Sequence, residues 1–178
     1  MKNANQVSAL LGRLALLTVL FFAASEGRSE VAVAPAGATA NRVFYPIKVG
    51  GKAVRLQLAV KRAEMEHGLM GRTDLKADEG MLFVYADPQR MSFWMRNTPT
   101  ALDIGFFTAD GILREVYPLY PFDETPVVSR NEALVYAVEM KQGWFEFNGV
   151  KPGAQLDLEA LAAALRARGE SPRKSGVK

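Results

Sequence analysis

The residue best placed to do chemistry is Asp103, which interrupts an apolar run between Leu102 and Ile104. Aspartate is disfavoured in strands. Strand alternation sets it on the face opposite those two neighbours, beside Gly105 and Phe107. A carboxylate held there needs a partner, and Arg72 or the Asn97-Thr98 pair can supply one. One reading is a ligand anchor, or the acid/base group of a hydrolase-like enzyme with Arg72 as its orienter. The structural alternative is a buried pair that locks the turn around Arg72 to the sheet. A second group is aromatic: Tyr85, Phe93 and Trp94, followed by Arg96, Asn97 and Thr98. An aromatic platform beside hydrogen-bond donors suits sugars, peptides or other amphipathic ligands, although aromatics on neighbouring strands also simply fill cores. The expected binding residues are therefore Arg72, Trp94, Asn97, Thr98 and Asp103, with Asp103 the candidate catalytic group.

Other chemistries fit less well. Seven methionines and one histidine, His67, suggest a soft-metal site for Cu(I). Met91 and Met95, however, lie four apart in an expected strand and are well separated along it, and methionine also fills awkward core gaps. The leading reading therefore carries no cofactor and no metal. A lone imidazole without cysteine does not make a zinc site, and no serine sits in a nucleophile elbow. Gly50-Gly51 is a turn rather than a phosphate loop. Asp78-Glu79 would join Asp103 as a two-carboxylate site only if the fold sets their separation.

These residues need elements to hold them. Val54, Leu56, Leu58 and Val60 alternate with Arg55, Gln57, Ala59 and Lys61, the pattern of a strand with one buried face. Gly50-Gly51 joins it to the preceding run FYPIKV as a hairpin. Over Arg62 to Met70 the period changes and predicts a short helix, ended by Gly71. Gly80 to Tyr85 and Met91 to Arg96 read as aromatic-rich strands with Asp87-Pro88 as the turn between them. Leu102 to Phe107 and Ile112 to Tyr117 flank Asp110-Gly111, the clearest hairpin. Pro118 to Asn131, with three prolines, reads as a long ordered loop. Ala133 to Met140 is apolar almost throughout and suits a strand buried on both faces. Leu158, Leu161, Ala162 and Leu165 recur at helical spacing. About seven strands in hairpins, two or three short helices and no βαβ rhythm mean an α+β, mostly β domain: a small antiparallel sheet or barrel-like unit.

Residues 1–25 have the three parts of a secretory signal. Lys2 and Arg13 form an acid-free basic region, Leu14 to Ala24 is apolar, and Ala23-Ala24-Ser25 offers small residues for cleavage after Ser25. That apolar run is shorter than the roughly 20 residues of a membrane-spanning helix. Residues 26–42 read as a flexible linker, 43–158 as a single β-rich domain, and 159–178 as a C-terminal helix and charged tail. The expected location is periplasmic or secreted, with no membrane span once the signal is removed.

The formal charge of +3 is carried by the two ends. Residues 26–158 hold 15 basic and 17 acidic side chains, which gives no surplus for phosphates and excludes nucleic acid as the expected partner. The absence of cysteine rules out a disulfide scaffold, a thiol nucleophile and a lipobox anchor. A monomer that takes a small-molecule or peptide ligand is the expectation.

Several blocks follow one another in a specific order: GLMGR (Gly68 to Arg72), DEGMLFVY (Asp78 to Tyr85), FWMRNT (Phe93 to Thr98) and LDIGFFTADG (Leu102 to Gly111). Together they resemble the domain of unknown function 192 family, and VEMKQGWFEFNGVKPG is similar to that family's closing segment. Thr100-Ala101 departs from the pattern, which usually has a proline before Leu102. The resemblance covers roughly residues 54–158. It implies a compact β-rich domain often found exported or near the envelope, and it implies no reaction.

Overall fold

The computed structural model describes residues 43–172. The expected signal segment (1–25), the linker (26–42) and the end of the charged tail (173–178) lie outside the described residues. The chain opens with β1 (Tyr45–Val49) and β2 (Lys52–Ala59), then α1 (Arg62–His67) and β3 (Glu79–Gln89). A two-residue β4 (Ser92–Phe93) precedes the hairpin of β5 (Leu102–Thr108) and β6 (Leu113–Leu119). The short β7 (Val127–Val128), β8 (Leu134–Lys141), α2 (Trp144–Phe147) and α3 (Leu158–Ala167) complete it.

Six strands form one sheet in the order β1-β2-β3-β8-β5-β6, and β4 pairs with β7 apart from it. The mostly β, α+β class holds, but the sheet is mixed and open rather than closed into a barrel. β2 and β3 run parallel and are joined through α1, so the expectation of no βαβ rhythm is corrected. A six-residue crossover helix shows too little of the 3.6-residue period to be recognised in the sequence. At the open side, Leu156 bridges Val49 of β1 and Gln155 bridges Ile112 beside β6. This segment laces the two edges together at one end.

Both anticipated hairpins form. Gly50 and Gly51 adopt positive φ (57° and 78°) between paired Val49 and Lys52, as a two-residue turn demands. Asp110-Gly111 joins β5 to β6, with Gly111 at φ 78°. Gly80 has a different reason to be glycine: a Cβ there would lie 2.1 Å from the Glu139 carbonyl oxygen.

Three local expectations change. The first helix ends at Gly68 rather than Gly71, because Gly68 already takes φ 49° as its cap. Asp87-Pro88 lies inside β3, where the register with β8 slips between Val84 and Gln89, so the missing proline N–H falls at an irregularity. Of Met91 to Arg96 only Ser92–Phe93 is strand; Trp94 onward turns, with Asn97 at φ 53°.

Each face of the sheet has its own core. On one, Val54, Leu56 and Leu58 of β2 pack with Val138 and Met140 of β8, Phe145 of α2 and Leu161 and Leu165 of α3. Asp157 caps α3 by accepting from the Ala160 N–H. On the other, Met81 and Phe83 pack with Ala137, Ile104 and Phe106 beneath Leu69, Met91 and Met95. Arg168, within the expected C-terminal helix and charged tail, caps α3 and sits half-buried against Glu64 of α1 and the Leu58 carbonyl.

Candidate functional site

Asp103 occupies the face that alternation requires, with Phe107 and the α2 side of the sheet. Its partner is neither Arg72 nor Asn97-Thr98. The Gly143 N–H donates to Asp103 Oδ2 at 2.7 Å, and Gly143 is the N-cap of α2. Burial pushes the Asp103 carboxyl up, the Gly143 hydrogen bond pulls it down, and the nearby Glu146 adds to the upward push. The side chain is 9% exposed and ties a loop to a strand. Arg72 lies on the opposite side of the sheet. It donates to Gln57 Oε1 at 2.8 Å and to Asp74 Oδ1 at 2.5 Å, and its carbonyl accepts from Thr100 at 2.6 Å. The expected Asp103–Arg72 pair is therefore not formed. Asp78 accepts from the Trp144 indole at 3.2 Å and Glu79 pairs with Arg55 at 2.9 Å, so each acid of that pair already has a partner other than Asp103.

Asn97 serves the backbone: its left-handed residue turns the chain, and its carbonyl accepts from the Gly71 N–H at 2.8 Å. Trp94 and Thr98 do something else. Together with Tyr85 and Phe93 they line a cavity of about 310 Å³, which the sequence reading anticipated as an aromatic group beside a donor. α1 and the turn after it supply Met65, His67, Leu69 and Met70 to the same wall, and β3 adds Phe83. Phe83 and Phe93 meet edge to face at 4.9 Å. Arg96 lies 4.1 Å over the Trp94 ring and pairs with Glu124. The other methionines of the domain, Met81, Met91, Met95 and Met140, are core.

Another lining group is Glu139, and sequence reasoning missed it. It sits in β8 opposite Met81 of β3 and Ile104 of β5, in an otherwise apolar strand. The residue is 4% exposed and its Oε2 has no hydrogen-bond partner. Burial alone pushes its carboxyl up to about 8, so at neutral pH the protonated form dominates and has a proton to donate. Tyr85 feels the same environment: burial first, then the Glu139 charge, raise its phenol to about 12. Two strands away in the same cross-strand row lies Gln57, whose Nε2 is also unpaired. These are the two orphaned buried side-chain atoms among the described residues. The signal in the sequence was one acid inside ALVYAVEM.

A family model for DUF192, described as an uncharacterised ACR, matches residues 45–158. The chain belongs to the DUF192 family. Four of its blocks converge on the cavity: GLMGR brings Leu69 and Met70, GMLFVY brings Phe83 and Tyr85, FWMRNT brings Phe93, Trp94 and Thr98, and VEMKQG brings Glu139. The DUF192 hairpin LDIGFF instead carries Asp103 to the other face. Two solved structures are similar. One, from Sinorhizobium meliloti and provisionally described as a transcription regulator, is 30% identical with a TM-score of 0.60, covering 64% of this chain and 92% of that one. The other, a protein of unknown function from Novosphingobium aromaticivorans, is 35% identical with a TM-score of 0.60, covering 64% and 84%. No curated protein matches.

Proposed function

We propose that this DUF192 protein is an exported ligand-binding module of the cell envelope, and that its ligand enters the cavity lined by Glu139. The observation that carries the reading is Glu139, with one buried carboxyl oxygen unpartnered, in the lining of a largely apolar, aromatic-walled space. Buried polar groups without partners are rare in folded proteins, and one facing a cavity is most simply completed by what occupies it. Export is supported by the signal pattern of residues 1–25. Among the described residues no helix is long and apolar enough to cross a membrane. A nucleic-acid-binding role draws no support from the charge balance of residues 26–158. The separation of Asp103 from Arg72 leaves the hydrolase-like alternative without its pair.

Native mass spectrometry with metal analysis, on protein purified from the periplasm of its own host, tests the reading. The expected result is a chain beginning at Glu26 with a reproducible added organic mass that Trp94→Ala loses. A full-length chain recovered only from the cytoplasm overturns export, whereas a full-length chain in the membrane fraction means that the signal stays as an uncleaved anchor. An apo mass that no periplasmic extract changes overturns ligand binding, and copper in the added mass replaces the organic ligand with a methionine-bound metal.

A further inference from the structure

Resting on that cavity, we propose that its ligand is a compact organic ammonium ion whose positive nitrogen pairs with Glu139 while its apolar body lies among the aromatic rings. Three features of the cavity select this class. First, Glu139 lines the cavity with one buried carboxyl oxygen unpartnered, and among the described residues no lysine or arginine pairs with it. Arg62, at the rim, is paired with Glu66 at 2.7 Å, and Arg96 is paired with Glu124. Arg72 is held by Gln57 and Asp74. The charge that completes Glu139 comes from the ligand. Second, the walls carry Phe83, Tyr85, Phe93 and Trp94. Aromatic faces are electron-rich and attract cations, most strongly where water is excluded. The same electron-rich faces disfavour an anion lying against them. Third, the volume of about 310 Å³ is at the small end for ligand sites, which excludes a long peptide or oligosaccharide from full burial.

The chemistry of entry is balanced by one proton. In the empty cavity Glu139 is held as the neutral acid by burial. When the ammonium arrives, the carboxyl O–H bond breaks, the electron pair stays on the oxygen, and the proton leaves to solvent. The ligand keeps its own proton and donates it in a charge-assisted hydrogen bond. Binding therefore strengthens as pH rises from neutrality towards 8. The groups that face Glu139 are few enough to separate. β3 presents Tyr85, and α1 presents His67 beside the Arg62–Glu66 pair. Ile104 of β5 and Met81 of β3, directly opposite Glu139 in the sheet, are uncharged.

Three probes of one shape decide the class: 2-phenylethylamine, 2-phenylethanol and phenylacetate, titrated calorimetrically into the protein from its own host. Methyl resonances of Met65 and Met70 report whether a probe enters the cavity. The amine is expected to bind at least tenfold more tightly than the alcohol or the acid. It should release about one proton per complex at pH 7, read from the dependence of the heat on buffer ionisation. Glu139→Gln should abolish the proton release and weaken the amine at least tenfold while leaving the alcohol unchanged. Trp94→Ala should weaken amine and alcohol alike, and His67→Gln should leave the proton release intact. If the alcohol or phenylacetate binds in the cavity as tightly as the amine, the ammonium assignment falls and the cavity remains a ligand site. If none of the three moves the Met65 and Met70 resonances, the assignment falls together with the cavity's role. Amine binding without proton release, or release that survives Glu139→Gln, removes Glu139 as the anchor.

Discussion

Asp103 and Glu139 stand on neighbouring strands one position out of step, Asp103 opposite Met140 and Glu139 opposite Ile104, so they project to opposite faces of the same sheet. On the Asp103 face the chain brings a backbone N–H to the carboxylate and closes the α2 joint around it. On the Glu139 face it brings four aromatic rings and a cavity, and one carboxyl oxygen is left without a partner. Both acids are buried, so burial does not distinguish a structural carboxylate from a candidate binding one. What the opposite face supplies does. A third acid, Glu64, marks the limit of full pairing. Burial pushes its carboxyl up, but the Val60 and Lys61 N–H groups and Arg168 outweigh that and leave it below the usual range.

The comparison can be broken most directly by pH. For Glu139 the folded-state value lies above the unfolded one, so its stability contribution is complete below about pH 4.5 and is lost as pH rises to about 8. The expected slope is about 1.4 kcal/mol per pH unit over that window. Glu139→Gln should remove it: chemical denaturation at pH 5 and pH 8 should show the variant gaining several kcal/mol on the wild type at the higher value. A constant difference between the two proteins would mean that Glu139 is partnered. Glu64 has the opposite sign, since its folded value is depressed. Its contribution is present above about pH 4.5 and is lost as pH falls. Arg168→Ala should cost about 3 kcal/mol at pH 7 by leaving a buried carboxylate with its backbone donors alone, and much less at pH 3. Smallest, Asp103→Ala should cost about 2 kcal/mol through the lost charge-assisted bond to Gly143. Amine binding across the sheet should be unchanged, and a loss of binding without a loss of stability would return Asp103 to the site.

The sequence was most legible where a single period or a turn residue decides the outcome. Val54 to Ala59, the glycine hairpin at Gly50-Gly51 and the Asp110-Gly111 turn all form where expected. So does the leucine stripe of the last helix. The parallel β2–β3 pair was not legible, because α1 is too short to display a crossover. The strand expected over Met91 to Arg96 gave way to a turn, since Asn97 takes a left-handed conformation that strand propensity does not see. At the site, the aromatic group of Tyr85, Phe93 and Trp94 was recognisable from residue type and comes together as expected, with Thr98 beside it. Arg72, Asn97 and Asp103 were recognisable as unusual, but each is occupied elsewhere.

Composition and local order alone determined a β-rich, cysteine-free domain of the DUF192 family, and the face on which Asp103 stands. Those are properties of neighbours in the chain: period, turn chemistry and the order of blocks. Only the tertiary structure decided which acid has a partner, because hydrogen-bond donors arrive from segments far away in sequence. Gly143 reaches Asp103 across 40 residues and Arg168 reaches Glu64 across 104. Among the described residues no donor reaches Glu139 Oε2, and the difference lies in how the chain returns over each face of the sheet.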